Sequence, residues 1–238
     1  MAVECKKPST WAHYVALLKK DLSQELHTKD MITSMGLYAL LVLVVYGAAL
    51  AQAGTELDIQ QMAGGLLWAV ILFTSLLGLN RSFSHEKEQG CLEGMLLVPM
   101  DRSVIFLAKA TANLLFLVVV EVVCVPLFFF FFLGQVGAAP SWPMMLIPLA
   151  VGTIGIAGVG TMLSTITINT RGKDVMLAVM FIPLLFPLLW SCVAATTCAM
   201  CAPEGWMNTF ATSLAMAGAY DVVMILVSWV LYDFVISA

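Results

Sequence analysis

A chain of 238 residues that is 61% hydrophobic and 11% charged falls outside the range of soluble domains, in which roughly half the residues are apolar and about a quarter charged. A globular core of this length cannot hide so much apolar surface, so lipid is the expected solvent for most of it. The net charge of −4, with no basic patch interleaved with aromatics, argues against a nucleic-acid partner.

In chain order, residues 10–28 come first. Trp11, Val15, Leu18, Leu22 and Leu26 recur at helical spacing, forming one apolar stripe. His13, Lys20 and Gln24 fall opposite, and Glu25 interrupts the stripe at its edge. With its lysines, this segment predicts a helix lying in the membrane interface; a helix packed on the rest of the chain is the other reading. The first apolar run starts near residue 31, behind this charged segment and without a small-residue cleavage site, so no cleavable signal peptide is expected.

Six apolar spans follow, at about 31–53, 61–79, 104–133, 143–167, 175–196 and 209–235. Each approaches or exceeds the ~20 residues that cross ~30 Å of hydrocarbon, and the third is long enough to tilt. The eleven cations are Lys6, Lys7, Lys19, Lys20, Lys29, Arg81, Lys87, Arg102, Lys109, Arg171 and Lys173. All fall on the side shared by the N-terminus and the second and fourth connections, while the other connections carry Glu56, Asp58 and Glu204. By the positive-inside rule both termini and the 80–103 segment are expected in the cytoplasm.

Within the spans, Thr153, Ala157, Thr161 and Thr165 recur every fourth residue with Gly152, Gly155, Gly158 and Gly160 nearby, a pattern that lets helix backbones approach closely. Pro183 and Pro187 are expected to kink the fifth span, and Phe128–Phe132 is expected to face lipid or the outer interface. Glu121 and Asp221 lie at membrane depth, where an ionised group costs about 2.5–3.5 kcal/mol and needs a partner, a wet cavity or a proton. For Glu121, a polar seam at a subunit or transport interface and a protonated acid bonded to a neighbouring helix both stand. For Asp221, a slide of the span toward the surface is a further reading. The expected fold is therefore all-α and integral to the membrane, a single domain over residues 1–238. It has six transmembrane helices, an interfacial helix at 10–28 and a polar cytoplasmic segment at 80–103 in which Leu92, Met95 and Leu96 recur at helical spacing.

Several chemistries find no support. No GxxxxGK[ST] loop is present, since Gly172-Lys173 is followed by Asp174, so ATP is not expected to be hydrolysed by this chain alone. No Ser/His/Asp or HExxH arrangement occurs, and His13, His27 and His85 all sit on the cationic side. No catalytic residue and no metal site are expected. Cys198 and Cys201 form a CxxC expected in an outer loop, where a disulfide, a redox role or a purely structural role stand open; Ala202 breaks the CxxCH haem-attachment pattern. Cys5, Cys91, Cys124 and Cys192 read as packing residues.

The strongest signal is the polar interruption between the second and third spans. Its core, E-K-E-Q-G-C-L-E-G-M-L-L-V-P-M-D-R over residues 86–102, resembles the coupling segment of ABC-2-type exporter permeases, which docks on a separate ATPase. A helix with Leu92, Met95 and Leu96 on one side can fill an apolar notch while its charges set register on the partner. Including the flanks, Gly65-x-x-Trp68, Gly78-Leu79-Asn80-Arg81-Ser82-Phe83, Glu86, Cys91-Leu92-Glu93-Gly94, Pro99-x-Asp101-Arg102, Lys109 and Asn113 are similar to the CcmB family. Upstream, Lys20-Asp21-Leu22-x-x-Glu25 and Thr28-Lys29, and downstream Arg171-Gly172, Pro183, Pro187 and Tyr220-Asp221, extend the likeness over most of the chain.

That resemblance implies the permease subunit of a haem-exporter-type ABC transporter in System I cytochrome c maturation, in a bacterial inner membrane. The implied partners are a CcmA-type ATPase subunit and the CcmC-, CcmD- and CcmE-type haem-handling proteins, with a dimer of six-helix permease units. ATP is expected on the partner and haem as a substrate, with no cofactor bound directly: the outer connections offer no histidine and only Met or Cys as haem ligands. The implied ATPase-coupling residues are Arg81, Phe83, Glu86, Gly90, Leu92, Glu93, Met95, Leu96, Pro99, Asp101 and Arg102. A generic ABC-2 exporter of a drug, lipid or polysaccharide would share the coupling stretch without the flanks, and a non-transporting scaffold for haem-handling partners is a further alternative.

Overall fold

The computed structural model describes residues 10–52, 59–88, 102–136, 142–167, 170, 172–201 and 205–237. Among the described residues every regular element is an α-helix: α1 (Thr10–Thr28), α2 (Asp30–Gln52), α3 (Ile59–Glu88), α4 (Arg102–Val136), α5 (Trp142–Thr167), α6 (Lys173–Cys201) and α7 (Trp206–Ser237). The last six are each long and apolar enough to cross a membrane, so the six-span, all-helical expectation holds. The ends differ in two informative places. Residues 80–88, expected as the start of a polar connection, prolong α3. Cys198 and Cys201, expected in a loop, belong to the final turns of α6. Helix α3 outruns its apolar window, which ends at Ser82, because propagation of a nucleated helix adds a hydrogen bond per residue; in α6 the apolar span itself reaches Cys201.

Helix α5 is the hub. It packs on α3, α4, α6 and α7, and 72% of its spanning window is buried. Small residues make this feasible. A methyl group at Gly152 would lie 2.1 Å from the Trp68 ring of α3, and one at Gly160 would lie 2.3 Å from the Leu79 side chain of the same helix. On the other side, a methyl group at Gly155 would lie 2.0 Å from Asp221 Oδ1 of α7. Without a hydrophobic drive to bring helices together in lipid, such close approach supplies the dispersion contacts that hold the bundle. The buried Trp68 Nε1 donates to Thr196 Oγ1 of α6 at 2.9 Å, so the indole fills the α5 notch and satisfies its one polar atom.

One sequence expectation is corrected here, and one alternative reading is not followed. The phenylalanine run does not face outward as a block: Phe128, Phe129 and Phe132 are buried in the core while Phe130 and Phe131 are exposed. Helical periodicity divides such a run between two faces. Asp221 does not slide toward the surface; it is 6% exposed, within the Trp206–Tyr232 span. Helix α6 continues through both Pro183 and Pro187.

Helix α1 packs on α4. Tyr14 Oη donates to Thr111 Oγ1 at 3.1 Å, and Lys109 Nζ donates to Asp21 Oδ2 at 2.8 Å. The face that packs carries Tyr14, Leu17 and Asp21, and Leu18 and Leu22 of the apolar stripe pack on the core, whereas Trp11, Val15 and Leu26 remain exposed. Helix α1 is thus packed on the rest of the chain, one of the two readings drawn from its sequence, with Trp11, Val15 and Leu26 left on the outside.

Candidate functional site

The site marked out by sequence lies between α3 and α4. Arg81 is exposed on the last turns of α3, and Phe83 and Glu86 follow on the same helix. Arg102 opens α4 and is half-buried. Gly90, Leu92, Glu93, Met95, Leu96, Pro99 and Asp101 lie outside the described residues. The two helices that flank the stretch pack against each other.

What the described residues add is the anchorage of α4 beside that stretch. Lys109, on the second turn after Arg102, is 3% exposed and ion-paired with Asp21 of α1. A lysine buried inside a span is stable only with such a partner. Leu17 packs in the same place with Ile105, Phe106, Ala108, Met162 and Tyr232, joining α1, α4, α5 and α7. At the far end of α1, Lys29 takes a positive φ of 55° and its N–H donates to the Glu25 carbonyl. The Glu25 carboxylate oxygen Oε1 accepts from the N–H of Ile32 at 2.8 Å. The residue that spoiled the apolar stripe thus caps the start of α2, using a free donor of its first turn. Sequence reasoning missed both Asp21–Lys109 and this cap. The detectable signal was a lysine well inside an apolar run, which requires an acid from elsewhere.

Deeper in the bundle, α4 and α5 run antiparallel with polar contacts at regular intervals. Asn113 Nδ2 donates to Thr161 Oγ1 at 2.9 Å. Eight residues further along α4, Glu121 Oε1 lies 2.7 Å from Oγ1 of Thr153, which is eight residues back along α5. Leu117 and Ala157 occupy the intervening level. The second intramembrane acid, Asp221, sits on the other flank of α5 at Gly155, and its buried Oδ1 has no hydrogen-bond partner. Its neighbour Tyr220 donates from its hydroxyl to the Leu184 carbonyl of α6. Among the described residues, no cluster of three or more His, Cys, Asp or Glu is placed to hold a metal ion.

A family profile described as "CcmB protein" matches residues 12–236. The chain belongs to the CcmB family. Curated proteins to which it is similar carry the name "Heme exporter protein B". The one from Pseudomonas aeruginosa is 30% identical over 131 residues, 55% of this chain and 57% of that protein. The one from Rhodobacter capsulatus is 26% identical over 129 residues, 54% and 58% of the two chains, and the one from Haemophilus influenzae is 22% identical over 176 residues, 74% and 77%. The alignments with the first two thus span little more than half the length of those relatives. Family and fold together make this a multi-pass membrane protein of the CcmB family, with the stretch between α3 and α4, the α1 anchorage and the α4–α5 seam as its polar features.

Proposed function

We propose that this chain is the non-catalytic permease subunit of an ABC transporter complex for cytochrome c maturation, coupling ATP hydrolysis on a separate ATPase subunit to haem export or to release of a haem-loaded chaperone. The observation that carries the reading is the family match over residues 12–236, which takes in the E-x-E-x-G-x-L-E stretch of residues 86–93. Curated relatives named for haem export support the substrate class. The anchorage of α4 supports the coupling role: a push delivered to residues 89–101 enters α3 and α4, and the Lys109–Asp21 pair ties α4 to α1.

In this reading Glu86, Leu92, Glu93, Met95 and Leu96 contact a CcmA-type ATPase, while Arg81 and Arg102 set its register from the flanking helices. The termini and residues 89–101 face the cytoplasm of a bacterial inner membrane, because the cations cluster there. CcmC-, CcmD- and CcmE-type proteins supply haem handling, and a pair of permease units forms the membrane part. Haem is substrate, ATP stays on the partner, and no cofactor is held by this chain.

The test is charge reversal at Glu93 with Arg102 (Glu93→Lys, Arg102→Glu) in the assembled complex. The expected result is loss of ATPase co-purification and a drop of at least tenfold in stimulated ATP turnover, with the membrane part still folded. Undiminished co-purification and turnover would refute the coupling role. Haem flux in proteoliposomes then separates the two outputs: ATP-dependent flux supports export, ATP-dependent chaperone release without flux supports mechanical release, and no ATP dependence of either points to a scaffold.

A further inference from the structure

The α4–α5 seam contains two threonines in the same backbone arrangement. Thr161 Oγ1 donates to the Ala157 carbonyl four residues earlier at 2.7 Å. Thr153 Oγ1 lies at the same 2.7 Å from the Leu149 carbonyl. A hydroxyl has one hydrogen, and in each case the helix carbonyl can take it. The carbonyl has no hydrogen of its own to return. Each threonine oxygen then has acceptor capacity toward α4, and whatever faces it there must bring a hydrogen.

At Thr161 the partner is the amide nitrogen of Asn113, an obligate donor. At Thr153 the partner is the Glu121 carboxyl, 2.7 Å away, which is a donor only when it carries a proton. A carboxylate there would have to share the one threonine hydrogen with the Leu149 carbonyl. It would also sit as a charge four residues from the midpoint of the Arg102–Phe132 span, where ionised groups are costly. Among the described residues no cation pairs with Glu121; the ion pairs there engage Lys20, Lys109 and Asp21.

A second observation comes from α3. Glu121 lines a void of about 10 Å³ together with Val70, Ile71, Thr74, Leu117, Val120 and Cys124. That is room for about one water, which needs polar partners to be held. Thr74 is 3% exposed and its Oγ1 has no hydrogen-bond partner. The void thus has an unpaired hydroxyl on α3 and an acid on α4. The remaining titratable group on it is the thiol of Cys124; α5 faces Glu121 with Thr153, which does not ionise.

We infer that Glu121 is a proton-binding site at mid-membrane, its neutral acid donating to Thr153, and that its proton exchanges through a single water held by Thr74. Binding the proton turns Glu121 from acceptor to donor and lets Thr153 keep its bond to Leu149. Loss of the proton obliges the Thr153 hydroxyl to turn toward α4 and release that carbonyl. The site is independent of which molecule the complex exports.

Infrared spectroscopy of the purified full chain in lipid nanodiscs at neutral pH tests this, in an Asp221→Asn background that removes the other intramembrane acid. A protonated-carboxyl band is expected and should vanish in Glu121→Gln, whose amide can still donate to Thr153 as Asn113 does to Thr161. A band that survives this substitution, or is never present, overturns the site. If Glu121→Gln fails to fold, Thr153→Val keeps the acid but removes its acceptor, and the band should move to higher frequency; an unmoved band refutes the donor geometry. Transfer to heavy water should shift the band at least tenfold more slowly in Thr74→Val than in its parent. Equal rates overturn the water route.

Discussion

Helices α5 and α7 have the same mean hydropathy over their spanning windows, 1.9, yet 72% of the α5 window is buried and only 17% of the α7 window. In water such equality would predict similar burial, because apolar area drives association. In lipid it does not, since the surroundings are as apolar as the side chains. What separates the two helices is size and hydrogen bonding. α5 carries Gly152, Gly155 and Gly160 at its contacts and Thr153, Thr161 and Thr165 along one row, while α7 presents Val222, Val223, Leu226 and Val230 outward. The hub of the bundle is the helix others can approach, not the most apolar one.

The comparison can be broken at α5. Gly152→Val introduces a carbon 2.1 Å from the Trp68 ring, and overpacking of this kind costs about 1–3 kcal/mol; we expect the upper half of that range in thermal unfolding of the detergent-solubilised chain. Trp68→Phe probes the same contact from α3 by leaving the Thr196 hydroxyl without its indole donor, with an expected loss of about 1–3 kcal/mol from the unpaired group and the smaller ring. Thr161→Val removes the Asn113 acceptor without changing shape, and interhelical hydrogen bonds of this type average about 0.6 kcal/mol. At the small end, Val223→Ala on the exposed face of α7 should stay within about 0.5 kcal/mol. If Val223→Ala proved as costly as Gly152→Val, α7 would be making contacts that the isolated chain does not show. That would direct attention to a partner on that face.

The helices and spans were legible because each depends on composition within a window of some twenty residues. The family likeness was legible because its residues lie together in the sequence between Gly65 and Asn113. The pairings were not. Lys109 and Asp21 are 88 residues apart, and Trp68 and Thr196 are 128 apart, so each depends on how helices cross and at what height, which no local pattern encodes. Glu25 looked like a defect in an amphipathic stripe because its partner, the Ile32 N–H, belongs to the next helix. The phenylalanine run misled for the opposite reason: five identical side chains carry no periodic signal, although the helix beneath them still has one. The threonine row was read as a surface for close packing, and in the structure it also carries the polar contacts of α4.

The equal spacing of those contacts has a mechanical consequence. Asn113 meets Thr161 and Glu121 meets Thr153, like two pins entering two holes cut at the same pitch. A slide of α4 by one turn, about 5.4 Å, would set Glu121 against Ala157 or Leu149, neither of which has a polar side chain to receive it. The pins therefore index one height. Below the force that shears both at once, a displacement imposed on the start of α4 cannot be absorbed as slippage along α5. It travels on into α5, the helix that also packs on α3, α6 and α7.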